Sequence, residues 1–330
     1  MDVLSEMLSV SSVRGSAGAR ITAAGEWGVE WTGDRDAVVY AVTAGIAYLI
    51  VDGDTPRMLM PGDVVVLAQG SGHTLASAPS APVHSCDNAA AVDARLRGAA
   101  LALGDGGART HILGASYSYD FAAPVPVFAV LPPVLHLSAP QLDASASDIV
   151  TILGRELAAP GPATDLLLDR LVDVLLVEVM RAWLSTDTEL SASWWGVLRD
   201  PLLYSAVSKI HEEPGRPWTT ESLAREVSTS KQTLMRRFAV FTGTTPGKYM
   251  TDWRMNLAAR RLRDTDDSLD TIATDLGYAS EFAFSRAFRR ERQIPPGRYR
   301  SRSRDVGSRS RTRPSSTAEP APSIAPTSDT

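Results

Sequence analysis

The chain has 330 residues, 44% hydrophobic and 22% charged, enough for two domains with separate cores and ordinary for a soluble protein. A lone cysteine, Cys86, excludes an intrachain disulfide framework and fits a reducing cytoplasm. The net charge of −5 hides a split: residues 1–203 carry 11 basic and 23 acidic side chains, residues 204–300 carry 17 and 12, and the tail from Ser301 carries 5 and 3. The front half should therefore repel phosphate and the back half attract it.

The N-terminus has no basic start, apolar run and small-residue cleavage site, so no export signal is expected. From Ala37 to Ser77 the pattern is β. AVVYAVTAGIAYLIVDG ends in the turn Asp52-Gly53-Asp54, RMLM leads to the turn Pro61-Gly62-Asp63, and VVVLAQGSGHTL follows. Short apolar runs punctuated by such turns predict a meander or barrel. Ala78 to Gly107 is rich in small residues and poorly patterned, and its GDGG reads as a turn rather than a nucleotide loop. Thr110 to Phe121 resumes as strand, and Pro124, Pro126, Pro132 and Pro133 make the next segment extended.

Helices follow Pro140. Asp165 to Leu184 carries apolar residues at Leu167, Leu168, Leu171, Val174, Leu175, Val179 and Leu184, widened by Leu166, Val172, Leu176 and Val177. Such a stripe buries more than one face, which leaves open the core of the first domain and a helix-on-helix dimer interface. Asp169, Arg170, Asp173 and Glu178 interrupt it, so it is no membrane span. Trp194 to Pro201 is the expected domain junction. A helix from Pro201 to Glu212 ends before Glu213-Pro214-Gly215.

Two similar units come next. In residues 219–238, Thr219 or Thr220 caps a helix whose inward residues are Leu223, Ala224 and Val227. Ser228-Thr229-Ser230 breaks it, and Ser230 caps a second helix that buries Leu234 and Phe238. That leaves Lys231, Gln232, Thr233, Met235, Arg236 and Arg237 outside. In residues 268–288, Ile272, Ala273 and Leu276 face inward, Gly277 suits a left-handed helix end, Ser280 caps, and Phe284 and Phe288 are buried. Glu281, Phe282, Ala283, Ser285, Arg286, Arg289 and Arg290 lie on the other faces. Such a helix fits the major groove, where Arg and Gln make bidentate contacts to base edges. Residues 246–262 read as one helix with Pro246 in its first turn, roughly 26 Å long, so two recognition helices on this strut fall near the ~34 Å pitch of B-DNA.

Residues 201–300 resemble the C-terminal DNA-binding domain of the AraC/XylS family of bacterial transcription regulators, through PWTTESLAREV, LMRRF, Gly243 with Thr245-Pro246-Gly247, WRMNLAARRL, IATDLGY, FSRAFRR and PPGRYR. The resemblance implies base contact from Gln232, Met235 and Arg236 and from Glu281, Phe282 and Arg286. Lys231 is expected on the same DNA-binding face, and Arg237, Arg289 and Arg290 are read as phosphate clamps rather than base readers. Two departures stand out. Ser228 replaces the usual glycine, so the first unit's geometry is expected to differ slightly. Phe282 and Ala283 offer few hydrogen bonds, leaving the second unit phosphate, shape or a thymine methyl to read.

Residues 39–75 resemble the cupin sensor that precedes this domain in many relatives. The expected fold is thus α+β in two domains: a cupin-like β-barrel with helices for sensing and dimerisation (1–195) and an all-α double helix-turn-helix (201–300). The tail, 301–330, is Arg/Ser-rich and then Pro/Ser/Thr/Ala-rich and reads as disordered. Metal-binding cupins bring several histidines and a carboxylate together. Here Val39-Tyr40-Ala41 lacks the His-x-His pair and only His73 remains, so no metal and no cofactor are expected. His73 and Tyr40 are then pocket-lining candidates for a small-molecule effector. His84, His111 and His136 are scattered, and a His84–Cys86 pair has nothing to complete a site.

The leading reading is a cytoplasmic, sequence-specific, effector-modulated regulator that binds double-stranded DNA, with RNA polymerase and a second copy as further partners and no membrane. Activation and repression both stay open. The alternatives are a cupin-type enzyme with an appended DNA-tethering module, marked by tightly bound metal, and a ligand-independent architectural DNA binder, marked by a 201–330 fragment that behaves like the full chain.

Overall fold

Residues 2–10, 13–32, 36–85, 99–119, 128, 131–186 and 194–311 are described in the computed structural model, with side chains to residue 303. Eleven strands are assigned to them: β1 Arg14–Ala24, β2 Gly28–Trp31, β3 Ala37–Ala44, β4 Ala47–Val51, β5 Arg57–Leu59, β6 Val64–Leu67, β7 His73–Ala76, β8 His84–Ser85, β9 Ala100–Leu103, β10 Arg109–Ser118 and β11 Val134–Leu137. They form a six-stranded sheet in the order β11-β6-β3-β10-β1-β9 and a five-stranded sheet β5-β4-β7-β2-β8. The two sheets are cupin-like but separate rather than one closed barrel. Cys86, Pro124 and Pro126 lie outside the described residues.

The six-stranded sheet is buried on both faces, which explains its near-continuous apolar strands. Tyr40, Val42, Val65, Leu67 and Ile112 point toward the second sheet, where they meet Val29, Trp31, Leu49, Leu59 and Leu75. The alternate residues Val39, Ala41, Val64, Val66, Leu113 and Ala115 point the other way into a larger core with helices. The sequence reading starts the β region at Ala37, whereas β1 and β2 precede it. β1 is mostly Gly, Ala, Ser and Arg, with strand-favouring side chains only at Ile21 and Thr22, and its neighbours β10 and β9 hold it in the sheet despite weak intrinsic preference. β8 and β9 likewise fall in the stretch read as unpatterned, each paired in parallel with a longer strand.

The described residues also form ten α-helices: α1 Val3–Val10, α2 Ala144–Ala158, α3 Thr164–Thr186, α4 Pro201–Glu212, α5 Thr220–Glu226, α6 Lys231–Thr242, α7 Pro246–Asp264, α8 Leu269–Asp275, α9 Glu281–Arg292 and α10 Pro296–Arg311. α3 lies on the six-stranded sheet. The Tyr117 hydroxyl donates to the Val172 carbonyl at 2.7 Å, and the Gly15 amide donates to Asp173 at 2.8 Å. Its buried stripe is Leu168, Val172, Leu175, Leu176, Val179, Met180, Ala182 and Trp183, while Leu166, Leu167 and Val174 stay exposed. The sequence stripe is therefore rotated: Leu167 and Val174 belong to the outer face.

The chain separates into two compact units, Met1–Leu257 and Ala258–Thr330. The expected junction lies inside the first, where Trp194, Trp195, Gly196 and Val197 are buried. Trp195 meets the rings of Trp183 and Trp194 edge-on, at 5.4 Å in each case. α1 is seated in the same unit by Val3, Met7 and Val10. Its Glu6 lies 2.7 Å from the buried His211, whose other ring nitrogen is 3.0 Å from the Tyr249 hydroxyl and whose ring stacks on Trp253 at 3.5 Å. In the second unit Arg261 joins Asp267 and Asp275, each at 2.7 Å. α10 runs to Arg311, past the expected order boundary at residue 300, and residues 312–330 lie outside the described residues.

Candidate nucleic-acid interface and sensor core

The two helix-turn-helix units repeat each other at the level of single hydrogen bonds. α5 is capped by Thr219, which accepts from the Ser222 amide, and α8 by Ser268, which accepts from Thr271. The turn after α5 closes with Thr229 N to Ala224 O at 2.9 Å and the turn after α8 with Tyr278 N to Ala273 O at 2.9 Å. At the hinge of each turn stands a left-handed residue, Ser228 with φ 52° and Gly277 with φ 76°. The expected difference in first-unit geometry is thus corrected: serine adopts the glycine conformation and bears the steric cost. The next helices start alike, with Ser230 accepting from the Thr233 amide and Ser280 from Ala283. They end alike too, on left-handed Gly243 in one and left-handed Gln293 in the other.

This register fixes which face each recognition helix buries. Leu234 and Phe238 of α6 are buried, as are Phe284, Ala287 and Phe288 of α9. The opposite face of α6 exposes Lys231, Gln232, Met235 and Arg236, and that of α9 exposes Glu281, Phe282, Arg286, Arg289 and Arg290. Gln232 and Arg236 are four residues apart on one face, as are Phe282 and Arg286. Among the described residues, Lys231, Arg236, Arg286 and Arg289 have no carboxylate at ion-pair distance. Their charge is thus uncompensated, the condition that favours a polyanion. The Arg286 guanidinium sits 5.8 Å from the Phe282 ring centroid.

Arg237 behaves differently from its neighbours. It is half-buried and donates to Asp200 at 2.7 Å. The other carboxylate oxygen of Asp200 accepts the Leu202 and Leu203 amides and so caps α4. One aspartate thereby braces the recognition helix α6 against α4, a role not legible from the arginine's place in the motif. Arg290 is partnered by Glu291 at 3.0 Å. Two arginines thought to clamp phosphate therefore already have carboxylate partners.

Tyr40 and His73 do meet, but chiefly as partners of one another. His73 Nδ1 lies 2.9 Å from the Ser71 carbonyl, which can only accept, so Nδ1 carries the proton. Nε2 then accepts the Tyr40 hydroxyl at 2.9 Å. Trp31 stacks on the imidazole at 5.4 Å, a contributor the motif reading missed. All three are buried between the sheets. Burial holds the His73 pKa below its ordinary value, against a smaller opposing effect of the Ser71 hydrogen bond. The ring is neutral, packed and satisfied, which is how a core histidine looks. Among the described residues no group of three His, Cys, Asp or Glu side chains could hold a metal ion. His136 instead pairs with Asp63 at 3.0 Å, and Asp63 also accepts the Met60 and Ala139 amides. A narrow apolar crevice with room for about one water molecule lies between the six-stranded sheet and helices α2 and α3, lined by Ala41, Leu113, Ala115, Leu153, Leu157 and Leu175 among others. No helix among the described residues is long and apolar enough to cross a membrane.

Comparison with known proteins agrees with both halves. A cupin family matches residues 2–185 and a helix-turn-helix domain family matches residues 223–302. A putative AraC-like transcription regulator from Streptomyces lividans is 34% identical over 303 residues, covering 91% of this chain and 98% of that protein. The transcriptional regulator MtrA of Neisseria gonorrhoeae is 30% identical over 314 residues, covering 91% and 98%. A crystal structure of an AraC-type transcriptional regulator from Chromobacterium violaceum is 31% identical, covering 32% of this chain and 96% of that one, with a TM-score of 0.31. With a cupin front, paired helix-turn-helix units and relatives alike over nearly their whole length, this chain belongs to the AraC-like transcription regulators, a family that acts on DNA.

Proposed function

We propose that this regulator works in the cytoplasm, that α6 and α9 read bases on one DNA duplex, and that a small-molecule effector held in the cupin half sets the outcome at RNA polymerase. The observation that carries the reading is the repeated exposed face: Gln232 with Arg236 on α6 and Phe282 with Arg286 on α9, each opposite a fully buried phenylalanine. Gln232 and Arg236 suit adenine and guanine edges, and Arg286 suits guanine. Lys231 and Arg289 supply phosphate contacts. Met235 is exposed and apolar, Glu281 suits a cytosine amine, and Arg237 serves mainly to brace α6.

For the effector, the polar atoms of the Tyr40–His73 pair are already engaged, so an apolar ligand would enter by widening the narrow crevice beside α2 and α3. An effector there acts by favouring one arrangement of the helices that line it. The apolar outer face of α3, with Leu166, Leu167 and Val174, supports assembly with a second copy.

The deciding experiment measures binding of the full chain to fragments upstream of its own and neighbouring genes at rising salt. One preferred fragment is expected, with affinity falling steeply as phosphate contacts release counterions. Arg236→Ala together with Arg286→Ala should erase the preference while leaving the melting curve in place. Salt-independent binding with no preferred fragment would sink the proposal.

A further inference from the structure

Phe282 stands apart from every other aromatic side chain of the second unit. Phe284 and Phe288 are fully buried, whereas Phe282 is 74% exposed, the most exposed large apolar side chain among the described residues. It forfeits the transfer free energy of a whole ring, so packing does not explain it. Its place does. Ser230 and Ser280 cap the two recognition helices in the same way, and the second residue after each cap is Gln232 in α6 and Phe282 in α9. The sixth is arginine in both, Arg236 and Arg286. At matching points of two groove-facing helices, one unit thus offers an amide and the other a phenyl ring.

A phenyl ring can neither donate to nor accept from a base edge in the plane of the pair. In the major groove the apolar feature it can recognise is the thymine C5 methyl group. The neighbouring charges favour DNA over an apolar protein surface as occupant. Arg286 lies against the ring at 5.8 Å, and Arg289 and Arg290 are exposed further along the helix. Glu281 is the sole acidic residue of the first turn and is matched by a cytosine amine rather than by phosphate.

We propose that Phe282 is a specificity-determining residue that reads a thymine 5-methyl group, at the point of its half-site where Gln232 reads an adenine edge in the other. This rests on the assignment of α9 to the major groove. The second half-site therefore has one thymine whose methyl, and not its hydrogen-bonding edge, is selected, with a base read by Arg286 beside it.

The test uses the full chain and the tightest duplex it enriches from a randomised library. Each thymine is replaced in turn by deoxyuridine, which removes only the methyl, and the sensitive position is then rebuilt as a 5-methylcytosine–guanine pair, which restores it. At one thymine, or two adjacent ones, uracil should weaken wild-type binding about fourfold, the worth of one buried methyl at ~0.8 kcal/mol, with recovery on 5-methylcytosine. Phe282→Ala should bind the thymine and uracil duplexes equally, and Phe282→Leu should keep part of the discrimination. Because Phe282 is exposed, both variants should melt like wild type. Wild-type indifference to uracil at every position overturns the proposal, and so does a uracil penalty that persists in Phe282→Ala. Wild-type affinity in Phe282→Ala also overturns it and assigns the ring to a protein partner. If the library yields no enriched duplex, the reading of the chain as a sequence-specific regulator fails instead.

Discussion

Ser228 and Gly277 hold one backbone shape with two chemistries, and the difference can be measured. A non-glycine residue in the left-handed region costs about 1–2 kcal/mol, partly offset because glycine gains more freedom on unfolding. Ser228→Gly should therefore raise the stability of the first unit by about 0.5–1 kcal/mol in urea unfolding, without altering DNA contacts. Titration gives a second test. Burial depresses the pKa of both His73 and His211, and for His211 it outweighs the opposing pull of Glu6. A base with a lowered folded pKa is protonated first in the unfolded chain. Stability is then complete above the ordinary histidine value near 6.5 and declines as pH falls below it, until the folded rings also protonate. Urea midpoints between pH 8 and pH 5 should show the decline, and His73→Gln, which hydrogen-bonds but does not titrate, should make it shallower and leave the His211 share. Little of this was readable in the chain. The motif set His73 beside Tyr40, but nothing in the spacing places Ser71 and Trp31 around the ring.

At the scale of elements, period and caps did most of the work. Ser230, Ser280, Thr219 and Ser268 cap the helices they begin, because a hydroxyl ahead of an apolar stripe satisfies an otherwise orphaned amide. Where packing overrode preference, the sequence misled: β1 has almost no strand-forming side chains and exists through its neighbours. α3 shows a subtler failure. Apolar residues occupy so many of its faces that the wrong one could be taken as inward, and contact with Tyr117 and Gly15 chooses Val172 and Asp173. The Asp200–Arg237 brace separates support from recognition. Asp200→Ala removes a helix cap and strands a half-buried arginine, so it should cost about 1–3 kcal/mol of stability. Arg237→Ala should destabilise as well but keep the salt slope of DNA binding. Arg236→Ala should do the reverse, leaving stability within about 0.5 kcal/mol and weakening binding.

For the whole molecule, the basic half is the one that carries the helix-turn-helix units, and the dimer proposed above rests on the outer face of α3. Leu167→Glu with Val174→Glu places two charges on that exposed face and leaves the buried stripe untouched. Sedimentation of the full chain should show a dimer that this variant converts to monomer at unchanged helix content. The sequence by itself determined the kind of protein and the order of its parts: an acidic β-rich front, two capped helix pairs, and arginines at set intervals from each cap. These follow from local rules, since capping, hydrophobic period and charge act between residues close in the chain. Only the tertiary structure decided that Tyr40 and His73 partner each other, that Arg237 braces, that Trp194 and Trp195 at the expected junction are buried, and that Phe282 alone of its unit's aromatics faces water. Each depends on a partner supplied by a distant segment, or on the lack of one, and neighbours in sequence carry no record of that.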